Sequence, residues 1–267
     1  MAVLAFFLAD ESSKIPTVNF YQYFLPILFF TLLCADNQTA EDILLKSLHR
    51  MDGIDHQLKV DSKSSGKKKK EKHFQASFHW PSDERLLRQT RIISIETKQK
   101  KPSSFWEHRY KDGTKAKKWI SLPVTGKLID ISDKKTGKKD FSFAELGVTE
   151  EDIRSNVHQL FPQEKVDNFL AYVVESIEKS KTGGTKGSKK LWIDADSYMI
   201  LKVEFYTGRG RLYRSVICSD FKYFEGILFP LGIIVQDLKS KTNIQITIKD
   251  IALHPEFDMN MFIPQDQ

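Results

Sequence analysis

Residues 199–251 read MILKVEFYTGRGRLYRSVICSDFKYFEGILFPLGIIVQDLKSKTNIQITIKDI. Near the start of this stretch Leu201, Val203 and Phe205 alternate with Lys202 and Glu204. Near its end Ile244, Ile246 and Ile248 alternate with Gln245, Thr247 and Lys249. A period of two places the two sets on opposite faces of a pleated strand. Gly208-Arg209-Gly210, Glu225-Gly226 and Lys239-Ser240-Lys241-Thr242 interrupt the pattern with residues suited to chain reversal. The stretch therefore predicts strands over 199–206, 211–223, 227–238 and 243–251. Short connections make sequential strands antiparallel neighbours. One face of such a sheet is apolar and the other wet.

The same grammar extends towards the N-terminus. Residues 169–178 set Tyr172 and Val174 against Val173, and Gly183-Gly184 forms a Lys-rich turn before a strand at 191–194. Further strands are expected at 56–60, at 73–80 with Phe74, Ala76 and Phe78 on one face, at 105–110 and at 118–122. Asp112-Gly113 separates the last two as a turn. Residues 85–97 alternate less cleanly, with Leu87 on one face and Ile92 with Ser94 on the other. Residues 123–133 continue as strand or loop, a helix is expected over 149–157, and 160–166 reads as a connector. The run 62–70, rich in Ser and Lys, reads as a solvated hairpin loop.

Thr39-Ala40-Glu41-Asp42 has the form of a capping box, and Leu44, Leu48 and Met51 follow at helical spacing before Asp52-Gly53. One amphipathic helix of about three turns needs an apolar surface to cover. A sheet of this many strands curls rather than lying flat. The helix from Thr39 is its natural lid. The expected class is α+β, a large curved antiparallel sheet with short helices.

Residues 20–33, FYQYFLPILFFTLL, carry no charge and are too short for an unstrained membrane span. They fit the apolar region of an export signal. Residues 1–35 are expected to be a signal peptide or an N-terminal anchor, and 36–267 a single domain. Cleavage after Ala35 is favoured over a lipid on Cys34, because Leu33 occupies a place where a small residue is usual. Cys34 and Cys218 are the two cysteines, so no disulfide within the exported domain is expected.

The net charge of +6 raises the question of nucleic acid. The densest basic run, Lys67 to Lys70, has no aromatic within it for base stacking, so nucleic acid is not expected as a partner. No catalytic constellation is present: no paired metal-ligand histidines, no nucleophile elbow, and no phosphate loop. Asp194-Ala195-Asp196-Ser197 lacks the Gly and distal Glu of a calcium loop and reads as a turn between strands. The chain is expected to hold no cofactor and no metal.

Several segments resemble the outer-membrane lipoprotein-sorting proteins. Trp119-Ile120-Ser121-Leu122-Pro123 is similar to the family's W-x-x-L-P-like strand, and residues 140–146, DFSFAEL, to its D-F-S/T-Y-x-D-L element. Leu191-Trp192-Ile193-Asp194, residues 201–205, Ser219-Asp220-Phe221-Lys222, Leu228-Phe229-Pro230 and Met261-Phe262-Ile263-Pro264 resemble its later segments. The likeness spans residues 39–264, and Phe143, Glu145 and the Lys67 to Lys70 insertion depart from the pattern.

The resemblance implies a LolA/LolB-like fold, an incomplete or half-open β-barrel closed by short α-helices over an apolar cavity. It implies a non-catalytic periplasmic carrier of lipoprotein acyl chains or a related lipid. An inner-membrane transporter would be the donor and an outer-membrane receptor the acceptor. The expected cavity lining is Leu44 and Leu48 from the helix with Phe74, Phe78, Trp119, Phe141, Leu201, Val203, Phe205 and Ile246 from the sheet. A shift of one residue in any strand would invert its face.

Overall fold

Thr39 Oγ1 accepts a hydrogen bond from the Asp42 amide at 3.1 Å, and the Asp42 carboxylate accepts one from the Thr39 amide at 3.0 Å. This reciprocal pair opens helix α1 (Ala40–His49). Thr149 and Asp152 build the same box at the start of α2 (Glu150–Ser155), which is shorter than the expected 149–157. The structure, a computed structural model, describes residues 38–65, 70–95, 102–122, 125–133, 147–180 and 183–266. Thr39–Gln267 forms one compact unit.

Thirteen strands follow among the described residues: β1 (His56–Ser65), β2 (Lys70–His79), β3 (Leu86–Ile95), β4 (Ser103–Tyr110), β5 (Lys117–Ser121), β6 (Leu128–Asp130), β7 (Val157–Val166), β8 (Phe169–Lys179), β9 (Thr185–Asp194), β10 (Ile200–Thr207), β11 (Leu212–Phe224), β12 (Ile227–Asp237) and β13 (Thr242–Leu253). They form one sheet in the order β6-β5-β4-β3-β2-β1-β13-β12-β11-β10-β9-β8-β7. Each neighbour is antiparallel, and sequential strands pair except β6 with β7. β1 pairs with β13, joining the first strand to the last. β6 and β7 stand at the two ends of the order, so the sheet is unclosed. The expected α+β class with an open, curved antiparallel sheet is what the chain forms.

Two expectations are corrected. The run 62–70 is not wholly loop: Ser62, Lys63 and Ser64 pair with Lys72, Glu71 and Lys70. Alternating polar residues suit a strand whose two faces are both wet at its tip. Residues 160–166 are strand rather than connector. β7 is an edge strand, mostly exposed, with a register shift between Phe161 and Glu164 around Pro162. Proline and a bulge are tolerated where one side of the ladder has no partner, and they erase the alternation that identifies a strand.

α1 buries Ala40, Ile43, Leu44 and Ser47. Ile43 and Leu44 have no exposed surface, and they join Val60, Val174, Leu191, Ile193, Val203, Phe205, Val216, Ile233, Val235, Ile246 and Ile248 in one cluster. Full burial of each such side chain stabilises the fold by roughly 1.5–3 kcal/mol. The opposite face carries a smaller cluster of Ala171, Val173, Trp192 and Leu201. On β2–β5, residues near the C-terminus cover that outer face. The 3-10 turn Met259–Phe262 receives hydrogen bonds from Trp106 and His108.

Candidate functional site: a cavity beneath the first helix

The C-terminal turn of α1 passes over the inner face of the sheet and leaves a cavity of about 240 Å³. The apolar part of its wall is Leu48 and Met51 from the helix end, Phe78 and Trp80 from β2 and its exit, and Met199, Ile200, Cys218, Pro230 and Ile233 from the far strands. Ser47, Arg50, His56 and Arg88 supply the polar part, and the backbone of Gly147 completes it. A mostly apolar wall with a few placed polar groups is the usual composition of a small-molecule site. A neighbouring hollow of about 20 Å³ shares Leu48, Trp80 and Arg88 and adds His49, Asp52, Leu87, Arg109 and Glu150.

Each polar group has a definite state. The Arg50 guanidinium donates to the Leu228 carbonyl and lies 5.8 Å from the Phe229 ring centroid. Burial lowers its pKa to about 10, against the pull of Asp194, so it stays charged at neutral pH. Arg88 lies over the Phe78 and Trp80 rings at 5.9 and 5.7 Å and pairs with the Glu107 carboxylate at 3.3 Å. Burial lowers its pKa as well, with Arg109 adding to the effect and Glu107 opposing it. His56 stacks on Phe78 at a centroid distance of 4.5 Å. Its Nδ1 lies 2.8 Å from the Ile54 carbonyl, so Nδ1 carries the proton. Burial pushes its pKa down to about 4 despite that bond, which leaves it neutral. Burial also raises the Cys218 thiol to about 12, and a protonated, buried thiol is a poor nucleophile.

Behind Arg88, Glu107 gathers three cations: Arg109 at 3.1 Å, Arg88 at 3.3 Å and Lys118 at 3.4 Å. Burial alone would raise this carboxyl, and the three cations outweigh it and hold it below the usual carboxylate range. Asp194 accepts from the Ser197 amide at 2.8 Å and its hydroxyl at 2.5 Å, which closes the 194–197 turn. Among the described residues no group of three or more metal-ligating side chains occurs. No helix among them is long and apolar enough to cross a membrane.

The expected lining residues fall into four groups. Leu48 and Phe78 line the cavity. Leu44, Val203, Phe205 and Ile246 are buried in the helix-side cluster, with Phe74 packed against it. Leu201 and Trp119 lie on the other face. Phe141 lies outside the described residues.

Leu201 is turned by a bulge. Ile200 pairs with Ile193 and Lys202 with Trp192, so Leu201 is the extra residue and its side chain joins Trp192 and Val173. Two residues against one reverse the alternation, and Ile200 takes the inward place. Trp119 faces Trp106 across the β4–β5 pair and meets the His108 ring edge-on at 5.1 Å. Both of those partners are held by the C-terminal turn on the outer face.

Sequence reasoning did not single out Arg50, Trp80, Arg88 or Ile200 for the site. A usable signal lay in the uneven alternation of residues 85–97, which reflects a register shift between Leu86 and Arg88.

A protein family described as "-like: Uncharacterized protein" matches residues 87–266. No curated protein matches the chain. Among solved structures, the chain is similar to a putative outer membrane lipoprotein-sorting protein domain from Vibrio parahaemolyticus. The TM-score is 0.66 at 17% identity, covering 84% of this chain and 97% of that one. It is similar to a DUF1329 family protein from Desulfovibrio piger, with TM-score 0.68 at 16% identity, covering 84% and 95% of the two chains. A LolA superfamily protein from Nitrosomonas europaea matches with TM-score 0.54 at 20% identity, covering 85% of this chain and 98% of that one. The open sheet, the helix that covers its inner face and these matches agree: the chain belongs to the family that matches residues 87–266, and its fold is LolA/LolB-like.

Proposed function

We propose that this protein is a periplasmic carrier that shields the acyl chains of a lipoprotein, or of a related lipid, between α1 and the inner face of the sheet. The observation that carries the reading is the apolar cavity under the end of α1, lined by Leu48, Met51, Phe78, Met199, Ile200 and Ile233. Shielding an acyl chain takes a concave apolar wall and no nucleophile. Each methylene removed from water contributes roughly 0.8 kcal/mol, so one chain supplies ample affinity without chemistry. The cavity is just below the roughly 300–1,000 Å³ usual for ligand sites, so α1 moves outward to admit a whole chain. Among its polar ties, Lys46 donates to the Tyr198 hydroxyl at 3.2 Å and Arg50 to the Leu228 carbonyl.

The apolar run at 20–33 supports export, with processing after Ala35 or a lipid on Cys34. A carrier in this position takes cargo from an inner-membrane transporter and passes it to an outer-membrane acceptor. Native mass spectrometry of protein gently purified from the periplasm tests the reading. A co-purified lipid, together with uptake of a fluorescent acyl probe, is expected. Absence of both would leave the second reading, a non-catalytic envelope protein with a filled core. The close packing of Leu44, Val203, Phe205 and Ile246 favours that alternative.

A further inference from the structure

Three hydrogen-bond donors in the cavity wall have no acceptor among the described residues. Ser47 Oγ, Trp80 Nε1 and Arg88 Nε are each buried and unpaired, and all three residues line the same 240 Å³ space. A buried donor left unsatisfied costs about 1–3 kcal/mol, so three around one cavity are a coherent feature rather than scattered defects. They come from three separate elements: α1, the exit of β2, and β3. Ser47 is 7% exposed. Arg50, whose charge persists, lines the same space and spends one hydrogen bond on Leu228. The acidic groups nearby do not fill the role of acceptor. Glu107 reaches Arg88 through the terminal nitrogen, not Nε, and Asp52 is bonded to His49 at 2.7 Å.

Resting on the carrier reading above, we infer that the cavity recognises an acyl ligand with an oxyanion head group, a carboxylate or a phosphate ester, bound by Ser47, Trp80 and Arg88. An oxyanion offers several lone pairs, which suits three unpaired donors lining one cavity, and charge-assisted bonds are the strong ones. The tail then lies along Met199, Ile200 and Ile233. A neutral ester or alcohol of equal length fills the same apolar wall but offers fewer and weaker acceptors to the three unpaired donors.

The test uses the full chain and competition against a fluorescent fatty acid. The competitors are a fatty acid, the alkyl phosphate of the same chain length, and the methyl ester of the acid. The expected result is at least tenfold tighter binding of one or both anions than of the ester. Whichever anion wins identifies the head-group source. Ser47→Ala with Trp80→Phe removes two donors and trims the wall at Trp80, and is expected to cut the preference, read as the ratio of anion to ester affinity, to threefold or less. Arg88→Met should do the same if it folds. Equal binding of acid, phosphate and ester by the unaltered chain overturns the inference and leaves the carrier reading standing. Binding of none of the three overturns both.

Discussion

The indole nitrogen of Trp106 donates to the carbonyl oxygen of Met261 at 3.0 Å, across 155 positions of sequence. The bond fastens the C-terminal turn to the outer face of β4, where His108 holds Phe262 at 2.9 Å and Phe262 packs on His79 at 5.5 Å. Trp106 is only 1% exposed, although it lies on the face away from α1. Trp106→Phe keeps most of the packing and deletes the donor. It is expected to lower unfolding free energy by about 1–2 kcal/mol. Deleting residues 255–267 should cost more, because it also uncovers Trp106 and His79. Urea midpoints of the two variants check both statements.

Glu107 is the anionic centre for Arg109, Arg88 and Lys118. Glu107→Gln leaves three cations facing a neutral amide in a largely buried place. Removing one partner of a buried charge group is expected to cost about 3 kcal/mol. Glu107→Asp should recover part of the loss, because the charge returns at a shorter reach. Chemical denaturation of the two variants at neutral pH distinguishes charge from packing.

Stability should fall in mild acid because of His56. Its folded pKa is about 4, whereas an unfolded histidine takes a proton near 6.5. Between these values the unfolded chain binds more protons, so stability drops as pH falls from about 6.5 to about 4. Above about 6.5 the contribution is fully present. The total is on the order of 3 kcal/mol. Glu107, held below its ordinary range, adds its loss only at lower pH. His56→Phe keeps the ring contact with Phe78 and should flatten the profile above pH about 4.5. Unfolding free energies measured across that range would show a persistent slope if His56 were not the cause.

Leu201 and Ile200 should separate stability from uptake. Leu201→Ala empties a site in the outer cluster and is expected to cost about 2–4 kcal/mol. Acyl-probe affinity should be unchanged at a temperature where the variant is folded. Ile200→Ala trims the cavity wall and should weaken the probe several-fold, about 1 kcal/mol of lost apolar contact. Thermal melts and probe titrations of the two variants decide it, and equal weakening of the probe by both would place Leu201 on the wrong face.

Thr39 carries a cap whose loss is confined to α1. Thr39→Ala removes the acceptor for the Asp42 amide and is expected to cost about 1 kcal/mol. If α1 is the lid, the same variant should exchange probe faster than the unaltered chain. Stopped-flow release of the probe measures that rate.

Sequence alone determined the architecture. The alternation of Ile244, Ile246 and Ile248, the turns at Glu225-Gly226 and Lys239–Thr242, and the box at Thr39 and Asp42 are local features. They hold whichever partner each strand finds. Even so, alternation assigns faces only relative to a starting residue, and each bulge resets the count. Leu201 was displaced in this way, by one extra residue opposite Trp192. Trp119 was misplaced because nothing near it in sequence reveals that its neighbours Trp106 and His108 bond the C-terminal turn on the outer face. The site was least legible of all. Ser47, Trp80 and Arg88 are ordinary in their own segments, and they line one cavity only because β2 pairs with β3 while α1 crosses the inner face. Tertiary structure decided that arrangement, since it depends on distances between residues that no local pattern encodes.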